Sequence, residues 1–175
     1  MKTANQKTRL YIVTALFLAL TFLVTSYLLH IPVPATGGYV HLGDTLLYLA
    51  ASLLPAPFAV VAGGIGEALS DALTGSLIYA PFTLVIKSLM VLCFTSKRTT
   101  ILGKRNTAAI FTAGGICVAG YYLTEVILLG NFVSPLAEIP ANLIQAAASG
   151  AIYLIVGAAF DRAHMKNHLA AVLRH

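Results

Sequence analysis

Four ionisable residues lie within or at the edge of one long apolar stretch that runs from Gly37 to Lys87. Besides Lys87 itself they are Asp44, Glu67 and Asp71. A charge in hydrocarbon costs a few kcal/mol or more, so such residues usually face a protein interior, a cavity or one another. The four can be mutually neutralised packing groups, or they can line a polar pocket inside a membrane protein. We favour the pocket.

Further polar side chains lie at a similar depth in the later apolar segments. Glu125 lies near the end of one segment, and no Lys or Arg lies within its own predicted helix. An acid inside a membrane span is more often functional than not, so we expect Glu125 to bind a donor on a ligand. The full set of candidate ligand contacts is Glu125, Asn142, Gln145, Tyr121, Tyr122, Tyr79, His41, Tyr39 and Lys87.

Several of these candidates also have a purely structural interpretation. Asn142 and Gln145 can join helices through hydrogen bonds instead of contacting a ligand. Tyr121 and Tyr122 can be core or interfacial aromatics, although one of them can stack on a flat heterocycle.

The charged candidates have alternatives of their own. Lys87 is expected chiefly to neutralise Glu67 or Asp71, and Asp44 is expected to cap the helix that follows it. Histidine changes its charge near neutral pH. We expect His41 to lie in an exposed loop, where a histidine side chain is usually only solvated.

Six apolar segments are expected to carry these residues across a membrane. They cover residues 10–31, 45–54, 58–73, 81–95, 107–129 and 136–160. At 1.5 Å per residue the first is roughly 33 Å long, enough to cross the hydrocarbon of a bilayer. Pro32 and Pro34 end it. The second, which ends at Pro55, is short for a span. The chain of 175 residues is expected to form one domain over 1–175, an all-α integral membrane bundle.

Composition and charge support a membrane protein. A content of 58% hydrophobic and 10% charged residues excludes an ordinary soluble fold. The net charge of +5 does not indicate nucleic-acid binding, because the basic residues occupy three short segments between apolar runs. Ten of the 11 Lys and Arg residues lie in the first tail, the 96–106 loop or the last tail: Lys2, Lys7, Arg9, Lys97, Arg98, Lys104, Arg105, Arg162, Lys166 and Arg174. The positive-inside rule then predicts a multi-pass plasma-membrane protein with cytoplasmic N- and C-termini.

The two cysteines carry no recognisable chemistry. Cys93 and Cys117 have neither CxxC spacing nor a neighbouring His/Cys cluster, so both are expected to be small buried apolar residues. We therefore predict no disulfide, no metal site and no cofactor.

Several motifs together resemble a known family. These are the six apolar segments, the basic central loop, the Ala15/Ala19 pair, the run from Tyr39 to Asp44, Gly63 to Gly66, Tyr79 to Pro81, and Ile86-Lys87. Over nearly the whole chain they resemble the substrate-binding (S) components of energy-coupling factor (ECF) transporters. The Gly43-Asp44 pair and the Pro81 and Lys87 positions are similar to the riboflavin, pyridoxine and hydroxymethylpyrimidine branch.

This resemblance implies a prokaryotic subunit for uptake of a vitamin or vitamin precursor. Pyridoxine or hydroxymethylpyrimidine is favoured as the ligand, and riboflavin comes next. The partners implied are a transmembrane coupling subunit and two cytoplasmic ATPases, since the chain has no Gly-rich phosphate loop of its own. The resemblance also places the ligand in the outer half of the bilayer, and it makes Ala15 and Ala19 the docking surface for the coupling subunit.

Two other classes of function remain as alternatives. A small intramembrane enzyme could use Glu67, Asp71 and His41, but metal-dependent membrane enzymes usually need more Asp and His ligands at close spacing. A channel would need a ring of like groups from several subunits, which nothing in the sequence indicates.

Overall fold

A computed structural model describes residues 4–28, 31–33 and 38–174, with side chains described for 4–28 and 40–172. These residues form seven helices and a two-stranded hairpin. In chain order they are α1 Ala4–Tyr27, β1 Ile31–Val33, β2 Gly38–Val40, α2 Gly43–Leu53, α3 Ala56–Leu73, α4 Ala80–Cys93, α5 Lys104–Leu129, α6 Ile139–Arg162 and α7 Met165–Arg174. A 3₁₀ turn over Ser134–Glu138 leads directly into α6.

The first six helices correspond in order to the six apolar segments. Four helical stretches are long and apolar enough to cross a membrane: α1, α3, α5, and α6 together with its 3₁₀ turn. The 14 residues of α4 and the 11 residues of α2 are roughly 21 Å and 16 Å long. Both are shorter than a hydrocarbon core of about 30 Å.

Two parts of the chain differ from the sequence-based expectation. Helix α1 ends at Tyr27 instead of Ile31, and the chain then forms a hairpin in which Ile31 pairs with Val40 and Val33 with Gly38. Pro32 has no N–H donor, so the helix cannot continue through strand β1. The C-terminal segment, expected to be a polar tail, forms the amphipathic helix α7.

Helix α3 contains a π-helical segment over Val60–Ile65. A π segment widens the helical turn, so it changes the face on which Glu67 and later residues lie. The helix also approaches α1 closely, since a Cβ atom added at Gly66 would lie 3.1 Å from the Leu18 carbonyl oxygen. Glycine at this position lets the two backbones pack against each other.

One end of the bundle carries most of the basic residues and is held by hydrogen bonds to the 96–103 loop. The Lys166 ammonium donates to the carbonyl oxygens of Ser96, Arg98 and Thr100 at 2.8–3.3 Å. Asp161 accepts hydrogen bonds from the backbone N–H groups of Ile101 and Leu102 at 2.6 and 2.9 Å. The loop is therefore fixed to the junction of α6 and α7.

The N-terminus of α1 belongs to the same end, because Arg9 donates to the Val172 carbonyl oxygen at 2.8 Å. Just inside this end lies an aromatic core of Tyr48, Phe94 and Tyr153, whose ring centroids are 4.8–5.8 Å apart. The buried Asn106 side chain donates to the Ile101 carbonyl oxygen at 2.9 Å. The opposite end is the one that carries the hairpin and the candidate site.

Candidate functional site

A buried ion cluster joins three helices near the centre of the bundle. The Lys87 ammonium on α4 lies 2.5 Å from Asp44 Oδ1 on α2 and 3.0 Å from Glu67 Oε2 on α3. All three residues are fully buried. Buried charges are tolerated when they are paired in this way, so the cluster fixes the relative positions of α2, α3 and α4.

The expected roles of these charges are partly corrected. Lys87 does neutralise Glu67, but its second partner is Asp44 and not Asp71. The prediction that Asp44 caps a helix is wrong. Helix α2 begins at Gly43, and its N-cap is Leu42, whose side chain makes no capping hydrogen bond. The cation of Lys87 offers the buried Asp44 carboxylate a stronger partner than a backbone N–H.

His41 connects the ion cluster to the hairpin. It is buried, whereas the sequence analysis expected a solvated loop residue. The Gly43 N–H donates to His41 Nδ1 at 3.0 Å, and His41 Nε2 lies 3.7 Å from Glu67 Oε2. Strand β2 leads straight into α2, and this draws the His41 ring inward.

Gln145 on α6 completes the connection. Its Oε1 accepts the His41 backbone N–H at 3.0 Å, and its Nε2 donates to Asp44 Oδ2 at 2.9 Å. One amide therefore links α6, the start of α2 and the residue that follows the hairpin. The sequence predicted that Gln145 joins helices or contacts a ligand. It joins α6 to α2 and also lines the cavity described next, so its position allows both roles.

A polar cavity of about 30 Å³ lies next to this network. Its lining comes from the segment after the hairpin, α3, the α3–α4 loop, α5, the 3₁₀ turn and α6. The lining residues are His41, Asp71, Ser76, Tyr79, Tyr121, Glu125, Glu138, Asn142 and Gln145. This volume is small for a vitamin-sized ligand, so binding of such a ligand requires the walls to separate.

Glu125 is the cavity residue with the most distinctive environment. It is 1% exposed, and its Oε1 accepts a hydrogen bond from the Tyr79 hydroxyl at 2.9 Å. Its Oε2 is buried and has no hydrogen-bond partner among the described residues. A buried acceptor without a partner is unfavourable, and a donor on a ligand would satisfy it.

Two more carboxyl groups line the cavity. Glu138 is 5% exposed and accepts a hydrogen bond from Asn142 Nδ2 at 3.4 Å, while Asp71 is 4% exposed. Tyr121 supplies an aromatic surface, and its hydroxyl is hydrogen-bonded to the Thr83 hydroxyl at 3.0 Å. The cavity thus combines three acids with amide and phenol groups, an arrangement suited to a ligand rich in hydrogen-bond donors.

Six of the nine residues named from the sequence line this cavity: His41, Tyr79, Tyr121, Glu125, Asn142 and Gln145. Lys87 is not among its lining residues, because its ammonium is held in the ion cluster. Tyr122 is on another face of α5, where its hydroxyl donates to the Phe132 carbonyl oxygen at 3.1 Å. The side chain of Tyr39 lies outside the described residues.

Ser76 and Glu138 were not among the sequence candidates for this site, whereas Asp71 was one of the four residues expected to line a polar pocket. Asp71 had been assigned to Lys87, and Ser76 lies in a predicted turn. The signal for Glu138 was present, since Glu138 and Asn142 are four residues apart and share a helix face. Within the described part of the chain no three or more His, Cys, Asp or Glu residues are grouped so as to hold a metal ion.

A helical bundle with long apolar helices and a buried polar cavity is typical of membrane proteins that bind a small molecule. Over residues 5–162 the chain matches the family model of the ECF-type riboflavin transporter S component. It therefore belongs to that family, whose members are substrate-binding subunits of vitamin transporters and not enzymes. This excludes the alternative of an intramembrane enzyme that uses Glu67 and Asp71.

The chain is also similar to a protein of Pyrococcus woesei that bears the name "Uncharacterized protein in gap 3'region". The two are 35% identical over 125 residues, which cover 70% of this chain and 82% of the relative.

The ion cluster generates a stability prediction. Lys87→Met should lower the free energy of unfolding by about 3–5 kcal/mol, because it leaves two buried carboxylates without their cation. The melting temperature in detergent measures the effect. Lys104→Met, at an exposed position, is the matched control and should melt like the wild type. Equal melting of the Lys87 and Lys104 variants would contradict a stabilising role for the cluster.

Proposed function

We propose that this protein is the subunit that captures a vitamin or vitamin precursor for uptake, and that the ligand binds in the cavity beside Glu125. Pyridoxine or hydroxymethylpyrimidine is the favoured ligand and riboflavin the next. The single observation that carries the proposal is that Glu125 lines a cavity formed by several helices while its buried Oε2 has no hydrogen-bond partner among the described residues. The family's name refers to riboflavin. The cavity's three carboxyl groups are hydrogen-bond acceptors, which favours a ring that bears hydrogen-bond donors.

The proposed topology has six spans, with both termini in the cytoplasm of a prokaryotic cell. The basic residues and the cavity occupy opposite ends of the bundle, which supports an outward-facing cavity under the positive-inside rule. The α2–α3 turn supports the same arrangement, because Pro55 and Pro57 border a groove together with Lys97 and Arg105 of the basic end. Helices α2 and α4 are shorter than the hydrocarbon core, so the loops that flank them would complete the two membrane spans.

The partners proposed are a transmembrane coupling subunit and two ATPases, in addition to the lipid bilayer. Ala15 and Ala19 are both exposed on α1 and lie among larger exposed residues such as Leu16 and Leu20. Small residues on an exposed helix face allow another helix to approach closely. The close contact of α1 inside the bundle is made elsewhere, at Gly66, so the alanine face is free for a partner.

The ligand is tested directly by mass spectrometry of the compound that co-purifies with the protein. Thermal-shift and calorimetric titrations with pyridoxine, hydroxymethylpyrimidine and riboflavin should then show binding of at least one compound without turnover. Glu125→Gln should weaken that binding by about 1.5–3 kcal/mol, the usual contribution of a charge-assisted hydrogen bond. Its ligand-free melting temperature should stay near that of the wild type. Normal binding by the Glu125→Gln variant would place the ligand elsewhere.

Topology is tested with single cysteines in a variant that lacks Cys93 and Cys117. Cysteines at Asn5, Thr99 and Asn167, all exposed at the basic end, should be protected from an impermeant external thiol reagent. A cysteine at the exposed Ser134, at the cavity end, should be labelled. External labelling at Thr99 would contradict the six-span arrangement.

The docking face is tested by adding bulk to α1. Ala15→Leu and Ala19→Leu should abolish transport and co-purification with the coupling subunit, while ligand binding by the isolated protein persists. Ala119→Leu and Ala151→Leu add the same bulk at exposed alanines of α5 and α6 and serve as controls that should transport normally. Parallel loss of ligand binding in the α1 variants would show that this face is needed for packing within the subunit.

A further inference from the structure

We propose that the basic end of the bundle holds an anionic phospholipid in a groove between the α2–α3 turn and the end of α4. Lys97 and Arg105 bind the lipid phosphate, and an acyl chain lies against Pro57 and Leu92. The groove is separate from the cavity beside Glu125, so the proposal concerns contact with the membrane and not the transported compound. It rests on one part of the proposed function, namely that the basic end of the bundle lies at a membrane surface.

The groove has a volume of about 570 Å³ and lies where α2 and α4 end and where α3 and α5 begin. Most of its lining residues are apolar, and they come from the α2–α3 turn and the last residues of α4. Lys97 and Arg105 line the same groove. Apolar walls beside two cations suit an amphiphilic molecule with a negatively charged head better than they suit a free ion.

The apolar side of the groove is open to the surroundings of the bundle. Leu92 is 54% exposed and lies next to the last residue of α4, and Pro57 is exposed at the start of α3. Acyl chains are as apolar as a leucine side chain, so exposed apolar residues of a membrane helix contact them without cost. Helix ends lie near the level where the hydrocarbon gives way to the lipid headgroups. The groove is therefore placed to meet both parts of a lipid.

Four exposed cations surround this region: Lys97, Arg98, Lys104 and Arg105. Within the described part of the chain none of them forms an ion pair with an acid. A neighbouring groove of about 230 Å³ is lined by Arg98, Lys104 and Arg105, so Arg105 belongs to both grooves. Like charges at close range repel one another, and an anion placed between them would offset that repulsion.

The acid that lies at this end of the bundle is used by the backbone. Asp161 is the one acid of the sequence outside the cavity end and the ion cluster. Its two carboxylate oxygens accept hydrogen bonds from the N–H groups of Ile101 and Leu102 at 2.6 and 2.9 Å. Asp161 thus fixes the loop and makes no ion pair with Lys97 or Arg105. These two cations are available to the phosphate of a lipid.

Arg105 is held in an orientation that leaves donors for a phosphate. Its Nε donates to the Cys93 carbonyl oxygen and its Nη2 to the Phe94 carbonyl oxygen, both at 3.4 Å. These bonds hold the guanidinium group across the C-terminal end of α4, which forms part of the groove. A guanidinium group has five N–H donors, so three remain. Its planar fork matches the oxygen atoms of a phosphate, which makes Arg105 the central phosphate ligand of the proposed site.

The test uses tryptophan fluorescence, because the chain contains no Trp and a single introduced Trp reports lipid contact at a chosen position. Leu92→Trp places the probe in the groove, and Phe111→Trp, at an exposed position of α5 outside both grooves, is the matched control. Each full-length variant is reconstituted into vesicles of phosphatidylcholine and phosphatidylglycerol. One lipid at a time carries bromine on its acyl chains, and the quenching gives the relative binding constant of the two lipids at each position.

We expect Leu92→Trp to favour phosphatidylglycerol over phosphatidylcholine about 5- to 30-fold, the ratio that one or two basic residues provide beside an anionic lipid. Phe111→Trp should show almost no preference. In the Leu92→Trp protein, Lys97→Gln together with Arg105→Gln should abolish the preference. Lys97→Gln alone keeps the bonds from Arg105 to the end of α4, so it tests the site without loosening that helix, and it should reduce the preference.

A control variant separates a local site from the overall charge of this end. Lys7→Gln together with Arg162→Gln removes the same number of charges from exposed residues of the basic end that line neither groove. This variant should keep the preference of Leu92→Trp unchanged. Inorganic phosphate, added at constant ionic strength, should also leave the quenching unchanged, because a free phosphate lacks the acyl chain that the apolar wall contacts.

Several results would overturn the site. They are an equal lipid preference at both Trp positions, a preference that persists when Lys97 and Arg105 are both replaced, and displacement of phosphatidylglycerol by inorganic phosphate. Quenching of Phe111→Trp without quenching of Leu92→Trp by either lipid would show that the groove is closed to lipid, and a protein partner would then be its occupant. Absence of quenching at both positions would contradict the membrane topology itself. None of these results depends on the compound that the cavity binds.

Discussion

The arrangement of the helices around the site depends on one buried cation. The Lys87 ammonium is the shared partner of Asp44 and Glu67, so it connects α2, α3 and α4 at a point without solvent. Because each charge is unfavourable in the interior unless it is paired, the three helices are stable together in this arrangement and not in shifted ones. Gln145 extends the same network to α6, and His41 extends it to the hairpin.

The network also explains why a cavity can exist beside it. Asp44 and Glu67 share the Lys87 ammonium, whereas Glu125 on the cavity side accepts a hydrogen bond from the neutral Tyr79 hydroxyl. Glu125 keeps one buried oxygen, Oε2, without a hydrogen-bond partner among the described residues. The acids of the ion cluster thus share a cation, while the cavity-lining Glu125 has a neutral partner.

The sequence predicted the number and order of the apolar helices and most of the cavity, since hydropathy and polar residues within spans are local signals. Tertiary pairings were harder to predict. Whether Lys87 pairs with Asp71 or with Asp44 depends on which face of α3 carries Asp71. The π segment at Val60–Ile65 changes that face, and no clear sequence marker announces it. The burial of His41 depends on the hairpin, whose pairing is not local to that residue. The docking role of the Ala15 face and the cytoplasmic termini remain predictions.

The fixed loop at the basic end has an entropic consequence. Lys166 and Asp161 hold the backbone over 96–102, so the positive charges of Lys97 and Arg98 are carried on a segment that is already ordered. A mobile loop would lose conformational freedom on meeting a negatively charged surface, and that loss would oppose the attraction. Here the backbone has been ordered by folding itself. Ordering of this backbone therefore adds no cost to an encounter of this end with anionic lipid or an acidic protein surface.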